Sequence, residues 1–171
     1  MLGLTQLGII HTLISLAGLA CGLVALSSTG MVRLHTRLGL AYVIGTVLSC
    51  LTGFGIFQHG GFGKPHVLGI VTLLVLAVAV CAARGAFGRM SRYVEVVSLS
   101  LTVFFHFIPG LTETGTRLPV GNPVFANAEA PELKGIVGVL FLVFLAGAVL
   151  QVRYLRREPG AGAGSFPGRI A

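Results

Sequence analysis

Apolar residues run along this chain in five blocks, near 7–27, 36–57, 66–85, 93–112 and 134–152, parted by short stretches rich in glycine, proline and charge. Each block holds about 18–22 residues, and at about 1.5 Å per helical residue that length matches a hydrocarbon core of roughly 30 Å. Lipid offers the backbone no hydrogen-bond partner, so a spanning block must close its bonds within itself, as a helix. The pattern predicts an all-α polytopic membrane bundle of five transmembrane helices, one domain over residues 1–156. A disordered cytoplasmic tail is expected over 157–171, where "REPGAGAGSFPGRIA" has the composition of a flexible linker. "HGGFGKPH" (59–66) reads as a tight hairpin that delivers Pro65 into the first turn of the third span. The longer connection, about 113–133, carries Pro119, Pro123 and Pro131 and is expected to be ordered only in part.

Within the blocks, polar and small residues keep to narrow faces. On the fourth span Glu95, Ser98, Thr102, His106, Pro109 and Glu113 share an arc of roughly 80° at about 100° per residue. His11, Ser15, Gly18 and Gly22 form a stripe on the first span, and His35, Gly39, Tyr42, Thr46, Ser49 and Gly53 one on the second. Polar side chains in membrane helices turn inward, so three helices are expected to present polar, small-residue faces to a shared centre. Rows such as Ala41, Gly45, Ser49 and Gly53 predict close backbone approach between helices; a flat cofactor resting on the glycines is the second use such rows allow.

Composition agrees with the pattern. Only 10% of the 171 residues are charged and 54% are hydrophobic, with a mean hydropathy of +0.93; a soluble domain carries about a quarter charged residues. The net charge of +7 is distributed by topology. Arg33, Arg37, Arg84, Arg89, Arg92, Arg153, Arg156, Arg157 and Arg169 fall on one side of the predicted spans, against Lys64, Arg117 and Lys134 on the other. The first set is expected to face the cytoplasm of a bacterial inner membrane, with the N-terminus outside, and a nucleic-acid partner is not expected. "MLGLTQLGII" lacks a basic leader region, so no cleaved signal peptide is expected. Cys21, Cys50 and Cys81 lie within the apolar blocks and read as small packing residues.

Depth along the predicted helices sorts the histidines. His11, His59, His66 and His106 gather toward the outer end, while His35 sits at the inner end between Arg33 and Arg37, as a headgroup-binding and topology-setting cluster. Imidazole is tolerated in an apolar segment when neutral and engaged, as a ligand of iron or another metal for example. His11 with His106 is the pair matched best for axial haem ligation, with His66 as substitute. The alternative is a metal centre of His59, His66, His106 and Glu113, which zinc would hold in tetrahedral geometry. A plain hydrogen bond from His106 to Ser15 or to a backbone carbonyl is the competing explanation. Glu95 is expected as a surface ion pair with Arg92, and Glu113 as a partner of Arg117 if the helix reaches that far.

"HTLISLAGLACGLVAL" (11–26), "LHTRLGLAYV" (34–43) and "FGIFQHGGFGKPHVLGIVTL" (54–73) together resemble the uncharacterised bacterial membrane proteins grouped as domain of unknown function 2306. The likeness covers about residues 7–85, and "FFHFIPGLTETGTRLPVGNP" resembles one subgroup. It implies an inner-membrane helical bundle, with no established activity. Histidines near helix ends also give a likeness to four-helix b-type cytochromes, and since the inner side offers only His35, at most one outer haem follows.

Three functional classes are therefore expected in competition. The first is a redox protein with one haem b near the outer face, Glu113 and Arg117 meeting a propionate or a quinone headgroup, and a redox partner. The second is a metal-dependent intramembrane hydrolase in which Glu113 activates a metal-bound water. The third is a structural or assembly protein without cofactor, its small-residue ridges open to a homodimer; a proton path along the Glu95–Glu113 stripe is a further reading.

Overall fold

The computed structural model describes residues 5–57 and 61–157; the tail beyond Arg157 and His59 lie outside the described residues. Five helices account for about three quarters of what is described: α1 (Gln6–Thr29), α2 (Arg37–Gly53), α3 (Lys64–Ala83), α4 (Ser91–Arg117) and α5 (Pro131–Arg157), with a single 3₁₀ turn, Gly88–Met90, leading into α4. Four of them, α1, α3, α4 and α5, are long and apolar enough to cross a membrane. The chain is a multi-pass helical membrane protein.

The second predicted span is the one that falls short. Its apolar run extends to residue 57, but the helix has 17 residues, about 26 Å at the helical rise. It ends where Phe54 caps it and the chain turns through Gly55 and Ile56, whose N–H donates to the Gly53 carbonyl at 3.0 Å. The fourth and fifth spans are longer than expected, 27 residues each. Pro109 sits inside α4 without ending it, as membrane helices allow when neighbouring groups re-satisfy the freed carbonyls.

Local chemistry sets the remaining boundaries. Thr5 caps α1 by accepting from the Gly8 N–H at 3.1 Å, and Gly30, at φ 71°, ends it with its N–H on the Leu26 carbonyl. Thr36 caps α2: its hydroxyl accepts from Gly39 N–H at 3.0 Å and donates to the Arg33 carbonyl at 2.8 Å. That turn needs glycine at 39, because a Cβ there would lie 1.9 Å from the Arg33 carbonyl oxygen.

Packing centres on α4, which touches α1, α3 and α5, while α1 lies along α2. The core is small: Ala25, Val32, Tyr42, Val43, Leu76, Ala79, Leu99 and Val103. The outside is apolar, with Leu13, Leu74, Leu142 and Leu150 each more than half exposed, an arrangement suited to lipid and not to water. Where α1 crosses α2, a Cβ on Gly18 would sit 3.3 Å from the backbone of Gly45, and one on Gly22 would sit 2.7 Å from the Tyr42 ring. These glycines are used for helix contact. They do not form a bed for a flat cofactor between α1 and α2.

The 118–130 connection is tied down at several points. Phe125 is buried against Gly115 and donates its N–H to the Gly115 carbonyl at 2.9 Å, and Val124 N–H reaches the Leu118 carbonyl at 3.1 Å. The Leu118–Pro119 peptide is cis.

Candidate functional site

The expected inward polar faces of α1, α2 and α4 meet. His11 on α1 lies with Nδ1 3.0 Å from the Ser49 carbonyl oxygen and 3.1 Å from the Thr52 hydroxyl on α2. A carbonyl only accepts, so Nδ1 carries the proton and the Nε2 lone pair of the neutral ring is left over. Space for the ring comes from Gly53, where a Cβ would approach the His11 Cε1 to 3.2 Å. One turn deeper, the Ser15 and Ser49 hydroxyls are hydrogen-bonded across the same interface.

On α4, His106 repeats the arrangement within its own helix. Its Nδ1 is 3.0 Å from the Thr102 carbonyl, which again places the proton on Nδ1 and leaves Nε2 as a base or ligand. The ring leans on Tyr42 at a centroid distance of 5.8 Å. Thr102 donates its hydroxyl to the Leu99 carbonyl at 2.8 Å, so the buried Tyr42 hydroxyl is the donor in its 2.7 Å bond to Thr102. His106 therefore bonds a backbone carbonyl, but one of its own helix and not one across the bundle.

His11 and His106 both face α2, His11 through Ser49 and Thr52 and His106 through Tyr42. Glu113 and Arg117 form the expected pair, at 2.5 Å, on a helix that does extend that far. Between His106 and Glu113 the surface of α4 is open, for a Cβ on Gly110 would meet nothing within 4 Å.

His66 is placed differently. Its Nδ1 accepts from the Gly63 N–H at 3.2 Å, closing the first turn of α3, so in the neutral ring the proton is on Nε2. That Nε2 is buried without a hydrogen-bond partner, and Phe54, Phe57 and Phe62 stack around the ring at 6.5, 5.2 and 5.2 Å. The ring is committed to capping and aromatic packing. Among the described residues no three His, Cys, Asp or Glu side chains come together as a metal-binding group; His59, one of the expected zinc ligands, is not among them.

At the opposite, basic end the structure corrects the expectation for Glu95. It is not a surface residue: only 9% of it is exposed, and its Oε1 accepts from the Leu34 N–H at 2.8 Å. The signal was available in the sequence, because Glu95 lies on the same stripe as the buried Thr102; its closeness to Arg92 suggested the surface instead. Gln151 was not singled out at all. It is buried, exchanges hydrogen bonds with Ser100 on α4 and donates to the Gly30 carbonyl at 2.8 Å, tying α5 to α4 and to the end of α1.

No protein-family model, no curated protein and no solved structure matches the chain.

Proposed function

We propose that the protein is a small redox protein of the bacterial inner membrane that holds one b-type haem between α1 and α4, with His11 and His106 as axial ligands. One observation carries this reading. Two imidazoles on different helices, both facing α2, each spend Nδ1–H on a main-chain carbonyl and keep Nε2 unprotonated. Axial histidines need that tautomer, and a carbonyl partner on the other nitrogen fixes ring orientation and raises ligand basicity.

The donor set fits a haem, and the open α4 surface at Gly110 is the approach it would use. The glycines of the α1–α2 contact lend no support, since neighbouring atoms fill the space beside them. A haem so held supplies one-electron transfer. The chain's own residues would do the rest: Ser49 and Thr102 orient the rings, and Tyr42 packs against the inner edge of His106. Arg117, beside Glu113, would meet a propionate or the headgroup of a quinone. His66 is the weaker substitute ligand, since ligation would cost the cap of α3. The concentration of arginines at one end favours that end in the cytoplasm. Membership of the domain of unknown function 2306 group is part of the same proposal and rests on the resemblance alone.

The test is a reduced-minus-oxidised absorption spectrum of detergent-purified protein expressed with ample haem. Bands of a bis-histidine haem are expected, lost in His11→Ala and in His106→Ala. A monodisperse, helical protein with no such bands would overturn the reading and leave a packing or assembly role without cofactor.

A further inference from the structure

Two neighbouring cavities open at the basic end, about 170 and 260 Å³ in volume. Arg33, His35, Arg92 and Glu95 line the first; His35, Arg84 and Glu95 line the second, beside Leu34 and Ala83. Four separate parts of the chain thus converge there: the α1–α2 connection, the C-cap of α3, the first turns of α4 and, through Leu155, the end of α5. Arg37, grouped with Arg33 and His35 by sequence, is not in the lining of either.

Among the described residues that line the two cavities, the guanidiniums of Arg33 and Arg84 are accompanied by one carboxylate, and that carboxylate is already used: Glu95 holds the 33–35 segment onto α4 through the Leu34 N–H. Each cavity is many times the ~15 Å³ that a single water needs. Arg33 is half-buried, and Arg84 and His35 are exposed at the cavity mouths; guanidiniums bind tetrahedral oxyanions through paired N–H donors. The site also lies where helices with exposed apolar surface begin and end, with Leu38, Leu40 and Val78 exposed on α2 and α3 near the same end. Basic pockets between membrane helices at this depth suit the headgroups of anionic lipids.

We propose that these neighbouring cavities, which share His35 and Glu95 in their linings, bind a phosphate group, with Arg33, Arg84 and His35 as its principal donors and Glu95 as the residue that keeps the lining in place. The proposal is independent of the haem reading, which concerns the other end of the bundle. The phosphate belongs to an anionic phospholipid headgroup or to a free phosphate, and one experiment separates these.

The full chain is placed in phosphatidylcholine nanodiscs, and its thermal midpoint is followed as phosphatidylglycerol or inorganic phosphate is added. A saturable rise with phosphatidylglycerol assigns the lipid; a saturable rise with inorganic phosphate assigns the free anion. Arg33→Gln and Arg84→Gln are each expected to raise the half-saturating concentration about fivefold, the effect of one basic residue near an anionic headgroup. Glu95→Gln keeps an oxygen for the Leu34 N–H and removes the opposing charge, so it is expected to lower that concentration, a gain no misfolded variant would imitate. The control is Arg156→Gln with Arg157→Gln, basic residues of the same end outside the cavity lining. No saturable rise with either ligand overturns the proposal, and so does equal weakening by the control pair, which would mean diffuse surface attraction.

Discussion

Gly39 shows how much one residue decides. The turn that carries Arg33, Leu34 and His35 folds back over the first turn of α2, and the Arg33 carbonyl comes within 1.9 Å of where a Cβ at position 39 would stand. Backbone cannot swing aside as a flexible side chain can. Gly39→Ala is therefore expected to cost about 1–3 kcal/mol, the usual range for overpacking, read as a lowered thermal midpoint in detergent. The same substitution should loosen the Leu34 N–H bond to Glu95 and with it the basic cavities. An unchanged midpoint would mean that the turn is not held as described. "LHTRLG" was conspicuous in the sequence for its charges; its glycine and its capping threonine are what shape it.

At the scale of elements, one ion pair network joins three of them. Glu129, in the connection before α5, lies 2.5 Å from Lys64 at the start of α3 and 2.9 Å from Lys134 in α5. The two ammonium groups hold its carboxyl down at about 2, against an ordinary 4.5. A carboxyl depressed by folding adds stability that is present above its unfolded value and lost as pH falls through the folded one. The contribution of this group is thus complete above about pH 4.5 and gone near pH 2. It is exposed, so the contribution is small and screened by salt. Glu129→Gln is expected to lower the thermal midpoint slightly at pH 7 and low salt, with the gap closing both toward pH 2 and in high salt. A gap that persisted through either change would argue for packing instead of charge.

The same scale shows where helix lengths escape the apolar pattern. The α2 helix stops at Gly53 although apolar residues continue to Phe57, because the chain turns there and Gly55 packs on Leu7. Further along, α4 runs on past the apolar block, its last turns carrying Glu113 and Arg117, whose pairing across one turn helps the helix continue. Apolarity marks where a helix is comfortable in lipid. It does not mark where the helix ends.

For the molecule as a whole, charge is arranged along one axis. Arg33, Arg37, Arg84, Arg89, Arg92, Arg153, Arg156 and Arg157 collect at one end of the bundle, and Lys64, Arg117 and Lys134 at the other. The end richer in arginine is expected in the cytoplasm. Alkaline phosphatase fused after Asn127 should then be active and fused after Arg157 inactive; the reverse pattern would overturn the orientation, and with it the outer placement of the histidines. Since α5 packs chiefly on α4 and buries only Leu133, Gln151 and Leu155, most of its surface is left to lipid.

The apolar pattern is enough to establish that this protein is a bundle of apolar helices, roughly where each lies, which loops share an end, and that polar stripes on α1, α2 and α4 turn inward. Those features follow from chain length per helical turn and from the cost of bare polar groups in lipid, both local quantities. Packing of the helices is what buries Glu95, spends the His66 ring on a cap and an aromatic stack, sets the Nδ1 partners of His11 and His106, and fills the glycine rows by helix contact. The reason is that lipid and protein interior are equally apolar, so hydropathy cannot say which face of a membrane helix meets another helix. That choice is made by how closely backbones approach and which carbonyls lie within reach of a side chain, and neither exists until the helices are packed.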